Sequence, residues 1–201
     1  MIMKKRLNTS IMQWINRPEY YSVGKNRIII STQPHTNFWV NRPEGVDQHN
    51  AAAILLSIRQ DFTLTFKVSA CLPLLHDQAG CFIMADHDTW CKAAIEGRDE
   101  QAYSVCSTVT YGGISDWAGM PVSSGIHDLY FRVHRRNNEF LVEFSFNGLK
   151  FKWLREFSFP VDTEEIRIGF YAASPKDSTF DAEFSSMMIE SLLWKEKRNT
   201  Q

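Results

Sequence analysis

The stretch DQAGCFIMADHDTWCKAAIEG, residues Asp77 to Gly97, holds two short β-rich runs around a polar turn, and how they pair decides the fold. Asp86-His87-Asp88 is a run of turn formers. A turn centred near His87 sets Met84 opposite Trp90, Phe82 opposite Lys92, Gly80 opposite Ala94 and Gln78 opposite Glu96. Side chains alternate across a strand, so odd and even positions lie on opposite faces. The odd face is dry: Cys81, Ile83, Cys91, Ala93 and Ile95. On the even face a small floor, Gly80 opposite Ala94, is ringed by Gln78, Glu96, Lys92, Phe82 and Trp90. A hollow edged by polar groups and an aromatic ring suits a small ligand or a sugar. A solvated outer face, with Trp90 shielding an exposed patch, gives the same pattern. Lys92 and Glu96 are separated by roughly 13 Å of strand rise, so each needs water, a cross-strand partner or a ligand.

Working outward, strand patterns dominate. NRIIIST, DFTLTFKVSA, YSVCSTVTY, HDLYFRVHR, EFLVEFSFNG, EIRIGFYAAS and FDAEFSSMMIE each alternate or form a short β-rich apolar run. Turn formers separate them, among them Gly112-Gly113, Asn137-Asn138, Ser174-Pro175-Lys176-Asp177 and the strong hairpin signal Asn147-Gly148. In one run Leu129, Phe131 and Val133 oppose Tyr130, Arg132 and His134; in another Phe140, Val142 and Phe144 oppose Leu141, Glu143 and Ser145. Helical periodicity is confined to the tail SLLWKEKRNTQ. With no Pro/Gly/Ser-rich linker, the whole of residues 1–201 reads as a single all-β domain with short, less ordered terminal extensions. Two face-to-face antiparallel sheets bury one face of each strand, which fits a sandwich or jelly roll.

Composition narrows the function. Hydrophobic residues make up 44% of the 201 and charged residues 22%, with a net charge of -1. That balance gives no electrostatic reason to expect nucleic acid or an anionic membrane as partner. Aromatic content of 13%, with 14 Phe and 6 Trp, supplies both core and binding platforms. Cys71, Cys81, Cys91 and Cys106 form no C-x-x-C pair, and most sit in apolar runs as small buried thiols. The start, MIMKKRLNTSIMQWI, is basic but lacks an apolar stretch long enough for a signal sequence, and no run reaches membrane-spanning length. The expectation is a reduced, cytoplasmic protein.

Catalytic constellations are incomplete. A glycosidase needs two carboxylates flanking the scissile bond, for which Glu96 with Asp116 or Glu96 with Glu143 are candidates, but nothing fixes their separation. The six histidines are dispersed, no H-E-x-x-H or G-x-S-x-G occurs, and phosphate loops are lacking. Asp86-His87-Asp88 reads as a solvated turn rather than a metal site. No cofactor and no metal are expected.

The segments TNFWVNRPEG, HDQAGCFIMADHDTWCKAAIEG, SDWAGMPV, LYFRVHR, FSFNGLKFKWLREFSF and IGFYAASPKDSTFDAEF fall in the order found in the DUF1349 family, which the chain resembles from about Asn26 to Ile189. The resemblance implies a concanavalin A-like jelly roll with one concave sheet. It also implies recurring polar and aromatic positions at Trp39, Asp77, Gln78, Trp90, Lys92, Glu96, Ser115, Asp116, Trp117, Arg132, Ser145 and Arg155. One departure is Asn147, where many relatives carry Asp before the glycine. Yeast-type members are named for regulation of enolase, so the resemblance implies enolase as a protein partner. From it the expected ligand-binding set is Gln78, Trp90, Lys92, Glu96, Asp116, Trp117, Arg132 and Trp39. Arg132 either adds a cation to the same sheet or forms a structural ion pair. Trp39 and Trp117, in loop-like contexts, either stack on a sugar ring or cap the core. Asp116 either caps its own turn or meets the ligand, and Asp77 likewise caps or binds. The favoured reading is a non-catalytic sandwich that binds a small polar ligand, carbohydrate among the options, and acts through protein partners. A hydrolase using Glu96 and Asp116, and a purely structural interaction domain, are the alternatives.

Overall fold

A computed structural model describes residues 4–99, 102–161 and 163–195, and strands follow one another along almost all of it. The first half carries β1 (Lys5–Arg6), β2 (Gln13–Ile15), β3 (Tyr21–Val23), β4 (Arg27–Ser31), β5 (Phe38–Asn41), β6 (Val46–His49), β7 (Ala52–Ile58) and β8 (Phe62–Ser69). The central hairpin is β9 (Gln78–Asp86) and β10 (Thr89–Gly97). The second half adds β11 (Ala102–Tyr111), β12 (Ile114–Ser123), β13 (Asp128–Arg136), β14 (Glu139–Ser145), β15 (Lys152–Ser158), β16 (Ile166–Ala173) and β17 (Asp181–Glu190).

These form two curled antiparallel sheets. The eight-stranded sheet runs β15-β14-β13-β8-β17-β4-β3, with β1 also on β17. The nine-stranded sheet runs β2-β7-β16-β9-β10-β11-β12-β5-β6. Between them lies the main core, where aromatic rings from both sheets meet. Phe66 of β8 contacts Phe170 of β16 at 4.9 Å between ring centroids, and Phe184 of β17 stacks on Phe170 at 4.9 Å. The residues read as dry from alternation (Cys81, Ile83, Cys91, Ala93, Leu129, Phe131, Val133, Phe140 and Val142) are all fully buried here. Cys71 is exposed while Cys81, Cys91 and Cys106 are buried, all four as free thiols.

The central hairpin has the register its turn implies: Trp90 pairs with Met84, Lys92 with Phe82, Ala94 with Gly80 and Glu96 with Gln78. Asn147-Gly148 does mark a reversal, between β14 and β15, but through the longer loop 146–151. Asn147 Oδ1 accepts from the Leu149 and Lys150 amides at 2.9 and 3.1 Å, and Gly148 takes φ 71°. The N-terminal segment is more structured than expected of a loose extension, since β1 and β2 pair with β17 and β7. Residues 191–195 form no helix, and the rest of the tail, 196–201, lies outside the described residues. No described helix is long and apolar enough to cross a membrane.

A second apolar cluster sits on the other side of the nine-stranded sheet. The β5–β6 hairpin joins β12 through one register pair, Ile114 with Asn41, and a hydrogen bond from the Val40 amide to Ser115 Oγ at 3.0 Å. From there it folds across the sheet and lays Phe38 against Phe82 at 4.3 Å and against Trp90 at 5.9 Å between ring centroids. Half of the curled face is thereby closed. The other half stays open.

Candidate functional site

Beside and beneath the β5–β6 hairpin, register places side chains in rows. One row is Phe82, Lys92, Thr108 and Trp117; the next is Tyr171, Gly80, Ala94, Cys106 and Gly119; the third is Gln78, Glu96 and Ser104. The β5–β6 hairpin, the loop before β9 and the loop after β16 rise around these rows. They enclose a pocket of about 510 Å³. Of the residues named from sequence, Gln78, Lys92, Glu96, Trp117 and Trp39 line it. Asn37, Gln48, His76, Arg98 and Lys176 line it as well and were not foreseen.

Glu96 is the organising charge. His76 Nδ1 lies 3.0 Å and Arg98 3.1 Å from its Oε1, while Trp117 Nε1 donates at 3.2 Å and the Cys106 thiol at 3.3 Å to its Oε2. Burial pushes its carboxyl pKa up, but the hydrogen bond from His76, the charge of Lys92 and the Cys106 and Trp117 contacts outweigh it and hold the group below the ordinary carboxylate range. Trp117 is held in place as a wall. Its indole also carries the Arg98 guanidinium 4.9 Å above the ring centroid, and it lies across Gly119, where an added Cβ would come within 2.8 Å of the ring. Gly119 is thus a site-shaping residue that the sequence reading passed over.

Lys92 is 4% exposed, and its one hydrogen bond among the described residues goes to Asn37 Oδ1 at 3.3 Å. Burial lowers its pKa to about 8 against the pull of Glu96. Asn37 is oriented in turn by donating to Gln48 Oε1 at 3.1 Å. Gln78 donates to the His76 carbonyl at 3.0 Å and accepts from the Tyr171 hydroxyl at 3.0 Å.

Five expectations change. Trp90 lies on the predicted face but is fully buried under Phe38, so it belongs to the second cluster and is not among the residues that line this pocket. The Gly80/Ala94 floor is covered as well, because Tyr171 pairs with Gly80 and its ring is approached by Gln78 and Lys92. Asp116 is displaced by parity: it pairs with Val109 while Trp117 pairs with Thr108, so it points to the opposite face from Lys92 and Glu96. There it binds Arg155 at 2.8 Å. Arg132 lies on the eight-stranded sheet, where it donates to Glu143 at 2.7 Å, so the structural ion pair is the arrangement found. Trp39 and Trp117 stand on strands β5 and β12 rather than in loops.

The other recurring positions are structural ties. Ser115 fastens β5, Ser145 Oγ accepts from the Gly148 amide at 3.0 Å, and Asp77 accepts from Ser178 at 2.6 Å and the Leu74 amide at 2.8 Å. Among the described residues, His49, His87 and Asp88 bring three potential metal-ligand atoms within 4.8 Å of one another. Arg42 pairs with Asp88 and, at 3.0 Å, with Asp47, and the two imidazoles stack at 4.1 Å.

A two-sheet antiparallel sandwich with a curled sheet around a polar, aromatic-edged pocket is a concanavalin A-like jelly roll. The chain belongs to the family described as protein of unknown function DUF1349, whose model matches residues 14–192. It is 24% identical over 190 residues to Regulation of enolase protein 1 of Saccharomyces cerevisiae, covering 94% of each chain. It is 29% identical over 175 residues to an uncharacterized protein of Emericella nidulans, covering 80% of this chain and 84% of that one. A crystal structure of a functionally unknown protein from Saccharomyces cerevisiae superposes with a TM-score of 0.85 at 23% identity, over 94% of this chain and all of that one. A GH43 protein from Bacillus licheniformis shares the fold with a TM-score of 0.71 at 10% identity, and the match takes in 38% of that longer chain.

Proposed function

We propose that this chain is a non-catalytic, cytoplasmic binding protein that takes a small polar ligand, a carbohydrate in the leading case, between Trp39 and Trp117. The observation that carries the reading is a pocket of about 510 Å³ with two buried charged side chains, Lys92 and Glu96, at its base. A plain outer face leaves such groups exposed or closes them into ion pairs, because burial costs each charge its hydration, and Lys92 has neither solution among the described residues. Flat indole faces with a few fixed polar groups suit a sugar ring. A hydrolase reading is poorly supported. Glu96 is kept ionised by its donors, which is unsuited to a general acid, and Asp116 points to the opposite sheet face. Among the described residues no second carboxylate lines the pocket.

The name of the yeast relative motivates a further part of the proposal, that the bound state is read by a protein partner in the regulation of enolase. The test is calorimetric titration with a sugar panel, run on the wild type and on Trp117→Ala, alongside co-sedimentation with purified enolase. Saturable binding that is lost in Trp117→Ala supports the pocket. A flat response across the panel, with no complex formed, overturns the reading.

A further inference from the structure

Three basic side chains, Lys92, Arg98 and Lys176, line the pocket against one acidic side chain, Glu96. Their states differ. Glu96 already meets four donors, and Arg98 is held by Glu96 and by the Trp117 ring. Lys92 is left with far less. An ammonium group has three hydrogens to donate, and among the described residues Lys92 gives one to Asn37 at 3.3 Å and has no carboxylate within 4.0 Å. It is nevertheless 4% exposed. Thr108, its partner across β10 and β11 and on the same face, is fully buried with a hydroxyl that lacks a hydrogen-bond partner. Buried polar groups are nearly always satisfied, so the open donors of Lys92, which lines the pocket, call for a partner such as water, an ion or a ligand.

We propose that the ligand carries an anionic group, carboxylate or phosphate, which docks on the Lys92 ammonium while the rest of the molecule lies between Trp39 and Trp117. The inference rests on the pocket being a binding site and narrows what it takes: acidic sugars over their neutral counterparts. An anion completes the donors of Lys92 and offsets the excess of positive charge, whereas a neutral hydroxyl does only the first. Glu96 stays outside this exchange, as the clamp that holds Trp117 and Arg98 in place.

The experiment compares glucose, glucuronate and glucose 6-phosphate by calorimetry at pH 7, on the wild type and on Lys92→Met. Glucuronate or glucose 6-phosphate is expected to bind at least tenfold more tightly than glucose, and Lys92→Met is expected to remove that advantage. Equal binding of glucose and both acids overturns the anion assignment while leaving the pocket as a binding site. Silence from all three probes overturns both. Should Lys92→Met not fold, a pH series on the wild type decides. Glu96, Cys106, Tyr171, His76, Arg98 and Lys176 surround Lys92, and burial keeps Cys106 and Tyr171 protonated well above their ordinary range. With Lys92 losing its proton near pH 8, glucuronate binding should weaken roughly tenfold or more between pH 7 and 9.5. Glucuronate affinity that stays level while the Lys92 ammonium is seen by NMR to lose its proton overturns the proposal.

Discussion

On the outer face of the eight-stranded sheet, Glu143 accepts from Arg132 at 2.7 Å and lies 3.0 Å from His134, whose other ring nitrogen meets Thr63 at 2.8 Å. The Leu193 amide donates to Thr63 from above, and Phe151 covers Arg132 at 3.9 Å. On the nine-stranded sheet, Lys92 and Glu96 are buried to a similar depth, but one of them is nearly bare and both line an open pocket. The same strand pattern, polar residues alternating with apolar ones, underlies both. What separates a structural network from a site is whether the donors and acceptors close on one another. The first set closes. The second leaves Lys92 over.

If that contrast is correct, removing a charge should cost stability on the closed side and ligand on the open side. The largest effect is expected at Glu143→Ala, which leaves Arg132 and His134 facing a cavity. Urea denaturation should show a loss of about 3 kcal/mol, the low end for a broken buried pair because Arg132 keeps 26% of its side chain exposed. Next comes the pH dependence of Lys92. Its folded pKa lies near 8, below the value of a free lysine, so the unfolded chain binds the extra proton between about pH 8 and 10.4. Stability should therefore rise with pH through that window, by about 3 kcal/mol, relative to Lys92→Met measured in parallel. An identical pH slope in the two proteins would show that the ammonium is solvated after all.

Glu96→Gln keeps the shape but sets an amide N–H against donors, and about 2 kcal/mol should be lost in chemical denaturation. Because the folded pKa of Glu96 is depressed, its contribution is present above the ordinary carboxylate pKa and fades as pH falls through the lower folded value. The variant should thus match the wild type more closely in acid than at pH 7. The smallest change in stability, about 1 kcal/mol, is expected at Gly119→Ala, where a methyl meets the Trp117 indole at 2.8 Å and the buried Cys106 Cβ at 2.9 Å, and the indole is the group freer to move. Its effect on ligand affinity should exceed its effect on melting temperature. The reverse order would mean that Trp117 is a packing residue.

Much of this was legible in the chain. The register of β9 and β10 followed from one tight turn, because a hairpin with its turn fixed has little freedom to slip. Alternation likewise gave the face of Trp90 and Arg132, but it does not reach Ser115-Asp116-Trp117, which reads as a loop and so groups Asp116 with Trp117 although the two point to opposite faces. It carries no information on what covers a face or which sheet a strand joins. Trp90 is hidden by Phe38, from a hairpin of two four-residue strands too short to stand out, and Arg132 sits on the other sheet. Strand β12, ISDWAGMPVS, contains Gly119 and Pro121 and lies mostly exposed, so its sequence resembled a loop. His76 and Arg98 flank the central strands, and Lys176 follows β16. They reach the pocket through loop geometry that local pattern does not encode.

The β5–β6 hairpin separates two tasks by parity. Phe38 and Val40 point into the second apolar cluster, whereas Trp39 and its cross-strand partner Gln48 face the pocket. Residues that fasten the hairpin and a residue that lines the pocket thus alternate along β5. Substitutions at 39 and 48 can retune the pocket while Phe38 and Val40 keep it assembled. A change of pocket lining at either position therefore requires no change of architecture.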